Sequence, residues 1–166
     1  MNRRAFLKSA VGAGALAAAS GLATPAISQR ANAPDQYPGV NYVSPESLDW
    51  RDSVTTGIKN AQVEGNSRAA GMYVSYVRYQ KGATAPPHTH PDQRIVAVVS
   101  GVLYSGIGPE MTEHNLKPLQ PGTVIVIPAN TPHFGVAKDG EVLLLEIGMG
   151  PSGVNFLSSK VNIQPE

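Results

Sequence analysis

GATAPPHTHPDQRIVAVVSG, residues 82–101, opens and closes on glycine, carries two prolines before His88-Thr89-His90, and ends in the apolar run Arg94 to Ser100. Glycine and proline at such points mark the corners where a small barrel reverses direction. Alternate side chains of a strand leave from one face, so His88 and His90 project into the same space. A second stretch, GTVIVIPANTPHFGVA (122–137), repeats the plan: a glycine, a short apolar strand, a proline, and His133 in the turn beyond. If the two hairpins pair around a barrel, three imidazoles converge. Three neutral nitrogen donors suit one divalent ion such as zinc, iron(II), manganese, nickel or copper. They also leave positions open for water or substrate, as a catalytic metal requires.

The rest of the chain fits an all-β reading. Met72 to Tyr79 is rich in aromatic and β-branched residues, Val102 to Ile107 reads as a return strand, and Val142 to Ile147 follows the hairpin turn Asp139-Gly140. Strand-length runs about ten residues apart, each bounded by Gly or Pro, point to a sandwich or barrel. The composition agrees: 17 glycines and 14 prolines, with only 15% charged residues, favour short strands over long amphipathic helices. The stretch Glu110 to Lys117 reads as one helical turn or a loop. With no cysteine, disulfides, thiolate metal sites and a cysteine nucleophile are excluded.

The N-terminus reads as an address. Asn2-Arg3-Arg4-Ala5-Phe6-Leu7-Lys8 precedes an uncharged Ala/Gly-rich run from Ser9 to Ala23, too short and mild for a membrane span. The paired arginines resemble a bacterial twin-arginine export signal, which implies a periplasmic destination. Cleavage is expected after Ala26-Ile27-Ser28, with Ala31-Asn32-Ala33 as the second choice. Loss of residues 1–28 removes Arg3, Arg4 and Lys8, so the thirteen basic residues fall to ten against twelve acidic ones, a net charge of −2. No basic run survives, and neither nucleic acid nor a stable membrane anchor is expected. Residues 29–47 read as a linker or arm, and 48–166 as a single domain with its motifs in 71–149. Trp50, the only tryptophan, is expected in the core, the other reading being the anchor of an arm across the barrel.

The two histidine stretches closely resemble the two motifs of the cupin superfamily. Gly82-(five)-His88-Thr89-His90-(three)-Arg94-(six)-Gly101 matches the first, Gly122-(five)-Pro128-Ala129-Asn130-(two)-His133 the second, and residues 102–121 give a normal spacing between them. The resemblance implies a small jelly-roll barrel (a double-stranded β-helix) with its ligand site inside, and a homodimer. Gly148-Met149-Gly150-Pro151-Ser152-Gly153 resembles the end of compact single-domain cupins of the His-x-His-Pro type. Two departures stand out. In the second motif Asn130 replaces a glycine, a mild change because Asn tolerates left-handed backbone, and Ala137 replaces an asparagine. In the first, Arg94 stands where the family places a ligating glutamate, and a guanidinium cannot ligate a metal.

Three arrangements then stay open. Arg94 turns outward from a three-histidine centre, Gln93 swings in through a bulge and donates its amide oxygen, or Arg94 lies inward in a metal-free pocket that binds an anion. Glu146 sits amid Leu143, Leu144, Leu145 and Ile147, and facing inward it would be an acid or base beside the site; Arg94 is the other weak catalytic candidate. Tyr73, Tyr76, Arg78, Tyr79 and Tyr104 are possible pocket walls, and His114 reads as a surface residue. The functional expectation is a periplasmic metal-dependent enzyme of oxygenase or isomerase type acting on a small organic molecule. The alternatives are a non-catalytic metal or ligand binder and a metal-free structural dimer.

Overall fold

A computed structural model describes residues 39–157 and 161–162. The expected export signal, its cleavage points and most of the linker lie outside these residues. The described chain is nearly all strand: β1 Arg51–Asp52, β2 Ile58–Glu64, β3 Gly71–Tyr79, β4 Thr84–Thr89, β5 Arg94–Ser100, β6 Leu103–Ile107, β7 Met111–Thr112, β8 Lys117–Leu119, β9 Val124–Ile127, β10 His133–Val136, β11 Val142–Gly150, β12 Asn155–Phe156 and β13 Val161–Asn162. Two single 3-10 turns, Pro45–Ser47 and Glu113–Asn115, complete the elements. No helix among the described residues is long and apolar enough to cross a membrane.

The strands form the two antiparallel sheets of a jelly roll. One runs β1-β2-β3-β11-β5-β9, the other β12-β4-β10-β6-β8, and β13 pairs in parallel with β7. Runs with β-branched or aromatic residues and Gly or Pro at their ends became β3, β5, β6, β9 and β11. β4 was hidden by Pro86 and Pro87, which cannot donate to a ladder. It forms because its pairing slips there: His133 faces His88 and Gly135 faces Ala85, so three residue steps on β4 oppose two on β10.

Inward-facing positions change character along the barrel. On β11 they run Val142, Leu144, Glu146, Gly148; on β5 they run Val98, Val96, Arg94. The Val142 end packs with Ile58, Val77, Ala85, Leu103 and Ile127 into the main apolar core. The other end holds the ionisable groups. Trp50 lies outside that core, half-buried, with its indole N–H donating to the Pro45 carbonyl at 2.8 Å and the Arg78 guanidinium 4.1 Å above its ring. It therefore anchors the segment entering β1, the arm reading, and the core reading is corrected.

Candidate metal centre

His88 and His133 face each other as direct partners across β4 and β10. His90 follows two residues later from the same face. One ring nitrogen from each of the three lies within 4.8 Å of the other two, and all three residues are buried. The loops are tied together: the Asn130 amide donates to the His90 carbonyl at 2.7 Å, and Asn130 adopts φ 58°, the left-handed conformation its glycine-like place requires.

Each ring is held by a carbonyl. Nδ1 of His88 lies 2.7 Å from the Pro86 oxygen, that of His90 2.6 Å from the Gly153 oxygen, and that of His133 2.9 Å from the Thr131 oxygen. A carbonyl can only accept, so Nδ1 carries the proton in all three rings and Nε2 keeps its lone pair. Carbonyl-held imidazoles of this kind are how metal-binding histidines are oriented. The rings are also neutral. Burial, with the neighbouring His133 and the Arg94 charge, lowers His88 to about 4. Burial and Arg94 lower His90 to about 3, and burial lowers His133. A metal must compete with protons for nitrogen, and here the protons are already disfavoured. The donor set, three neutral imidazoles converging on one space, thus fits one divalent ion.

Arg94 lies inward, as in the third expected arrangement, but without the free guanidinium that arrangement needs. Its side chain is only 11% exposed, so it does not turn outward. Instead of waiting for an anion, it is occupied: it donates to Glu146 Oε2 at 2.9 Å and to Ser152 Oγ at 2.8 Å, and its Nε lies 3.7 Å from Asp92 Oδ1. Glu146 comes from β11, where Gly148 is the register partner of Arg94. The carboxylate missing from the motif is thus answered by a carboxylate on the neighbouring strand, and the charge repulsion against a metal is muted. Gln93 is exposed, and β5 runs in regular register from Arg94 to Val98, so the bulge needed to bring its amide inward is absent at that end of the strand.

Asp92 and Ser152 were not singled out by the sequence, yet both belong to this network. Asp92 is buried, accepts from the Tyr73 hydroxyl at 2.7 Å and accepts from the Ser152 hydroxyl. Burial works to raise its pKa, but the Ser152 and Tyr73 hydrogen bonds and the Arg94 charge outweigh it and hold the carboxyl below its ordinary value. Burial and the bond to Asp92 push Tyr73 up to about 12. Glycine is required opposite them, because a Cβ at Gly148 would lie 2.4 Å from both Asp92 Oδ2 and Tyr73 Oη.

Between the histidines and the core lies a cavity of about 40 Å³, bounded among others by His88, His133, Tyr79, Ser105, Ile125 and Glu146. That is room for water-sized groups only. Glu146, 17% exposed at its side chain, has its pKa raised by burial, with Arg94 opposing and Asp92 adding to the shift. It faces inward, where it can hold or release a proton. Tyr76 and Arg78 point to the outer face of β3, Tyr104 donates to Asp139 on the surface, and His114 is exposed.

Residues 75–148 match the family model Cupin_2, the cupin domain. A curated relative, germin-like protein subfamily 1 member 7 of Arabidopsis thaliana, is 31% identical over 126 residues, covering 68% of this chain and 55% of that protein. The chain therefore spans about half the length of the curated relative it matches. Among solved structures, KdgF from Halomonas sp. matches at 25% identity and a TM-score of 0.53, over 66% of this chain and 93% of that one. The polyketide cyclase RemF from Streptomyces resistomycificus matches at a TM-score of 0.59 and 16% identity, over 76% and 88%; at that identity the likeness shows the fold alone. Together with the jelly roll, these matches support the cupin superfamily.

Proposed function

We propose that this cupin-domain protein holds one divalent metal ion on His88, His90 and His133 and catalyses proton transfer on a small organic molecule. The observation that carries the metal reading is the set of three Nδ1–H to carbonyl bonds, which commits every Nε2 lone pair to the shared space. When bound, the ion supplies a Lewis acid that stabilises negative charge on a substrate oxygen. The chain's own contribution is Glu146, a carboxyl on the wall of the same cavity as His88 and His133. Burial raises its pKa toward the working range of a general base, and Arg94 fixes where its oxygen points. Asp92, Ser152 and Tyr73 in turn fix Arg94 and act as positioning residues. This favours isomerase-type chemistry over oxygenation, because a placed acid or base is what proton transfer needs. That a fold neighbour is a cyclase agrees with an enzymatic use of such a barrel.

Metal-loaded protein in D₂O tests the reading. Exchange of carbon-bound hydrogen into at least one member of a panel of small carbonyl acids is expected, with loss of about 10²-fold or more in Glu146→Gln. Exchange equal in wild type and Glu146→Gln would remove Glu146 from the chemistry.

Two further elements belong to the same reading. The Arg3-Arg4 segment directs export to the periplasm, and changing both to Lys should block it. A second copy of the chain covers the outer face of β5 and β9, where Ile95, Val99, Val124 and Val126 are exposed side by side. Apolar patches of that kind are rare on monomers.

A further inference from the structure

A second, larger cavity of about 300 Å³ lies at the seam where β8, the edge of one sheet, comes near β9, the edge of the other. It is bounded by Ser105, Gly106, Ile107, Asn115, Lys117, Leu119 and Ile125. Ser105 and Ile125 also bound the small cavity beside His88, His133 and Glu146, so the two spaces share a wall. The inner one has room only for a molecule's reacting end, a group of about water size, while the outer one has the size of a compact ligand site.

The lining specifies a chemistry. Leu103 pairs with Leu119 and Ser105 with Lys117 across β6 and β8. Leu103 belongs to the core, so alternation turns Ser105, Lys117 and Leu119 to the same face of the sheet, with Leu119 against the core and Lys117 exposed. Lys117 stands at the exposed rim of this cavity, and its neighbours do not neutralise it. Lys117 has no ion-pair partner among the described residues, and the acid nearest in sequence, Glu113, is engaged by Lys138. The other polar side chains of the lining are committed: Ser105 donates to the Phe134 carbonyl at 2.9 Å and the Asn115 amide to the Glu110 carbonyl at 2.9 Å. What remains in the lining is one lysine without an ion pair among the described residues, together with the apolar side chains of Ile107, Leu119 and Ile125.

We propose that this cavity binds a small organic carboxylate with an apolar body, its carboxylate on Lys117 and its body against Ile107, Leu119 and Ile125. A single lysine is a point charge and matches a monoanion; a phosphate group is ordinarily held by several donors or a bidentate arginine, and none is present here. The molecule's far end then abuts Ser105 and Ile125, the wall of the inner cavity. The catalytic consequence rests on the proton-transfer reading above, but the binding itself does not require the metal.

The test uses hexanoate and hexanamide as probes, equal in chain length and differing in charge, titrated calorimetrically into the full exported protein. Wild type should bind hexanoate at least tenfold more tightly than hexanamide. That preference should vanish in Lys117→Met and return in Lys117→Arg, with metal content and melting temperature unchanged. Equal affinity for the two probes would overturn the proposal. So would a preference that survives in Lys117→Met and disappears in His133→Ala, because the carboxylate would then sit on the histidines. A Lys117-dependent preference in protein that carries no metal would uphold this site while the metal reading failed.

Discussion

Replacing Arg94 by Met keeps much of the side-chain length and removes its charge. The structure sets the cost. Arg94 and Glu146 meet at 2.9 Å with side chains 11% and 17% exposed. At an effective dielectric of about 20, unit charges at that distance attract by about 6 kcal/mol, much of it offset by desolvating both groups. Removing one partner leaves Glu146 buried without a counter-charge and facing Asp92, a situation that typically costs about 3–5 kcal/mol. For a chain of this size that is a fall in melting temperature of roughly 10 °C. Glu146→Gln should cost less, because Arg94 keeps Ser152 and Asp92. The double variant Arg94→Met/Glu146→Gln should be more stable than the two single losses added together by at least about 2 kcal/mol. Urea denaturation of all four proteins measures this directly. Metal stoichiometry should not change, since neither side chain belongs to the three-histidine cluster. A loss below about 1 kcal/mol in Arg94→Met, or additive effects in the double variant, would refute the view of Arg94 as the charge partner of Glu146.

Other expectations can be checked alongside. Gly148→Ala should destabilise by about 1–3 kcal/mol and loosen the network, because its Cβ would fall on Asp92 and Tyr73; a melting temperature within 1–2 °C of wild type, roughly the effect of half a kcal/mol, would contradict this. Metal-free protein should lose stability as pH falls from 6.5 toward 4. In that window the unfolded His88 takes a proton that the folded ring, at about 4, refuses, a loss of up to about 3 kcal/mol that His90 enlarges and Glu146, shifted in the opposite sense, partly offsets. A urea midpoint flat between pH 7 and 4.5 would show that the rings are not held neutral. Val126→Lys, on the exposed face of β9, should convert a dimer into a monomer in light scattering, whereas an unchanged mass would place any dimer contact elsewhere.

Much of the architecture could be read from the chain because the two signals that matter are local. Strand-length runs closed by Gly or Pro marked β3, β5, β6, β9 and β11, and the spacing of His88, His90 and His133 put three imidazoles within reach of one another. Asn130 was legible for the same reason, since one residue's backbone tolerance decides its place. What stayed hidden depends on partners distant in sequence. β4 contains two prolines and becomes a strand only through a slipped pairing with β10. Arg94 looked like an obstacle to a metal because its counter-charge, Glu146, lies 52 residues away on another strand. Asp92 and Ser152 are ordinary loop residues until the turn after β11 brings Ser152 back across β5. Trp50 misled because large aromatics are usually core, and the Arg78 guanidinium that holds it at the surface arrives from β3.

The claim on which the rest depends is that three oriented, neutral imidazoles hold one ion. Elemental mass spectrometry on protein purified without a histidine tag, beside His88→Ala and His133→Ala, tests it most directly. About one equivalent of a divalent metal in wild type, lost in both variants while the fold persists, is the predicted result. Wild-type protein that takes up no zinc, iron, manganese, nickel or copper after reconstitution, or variants that retain the metal, would contradict the account.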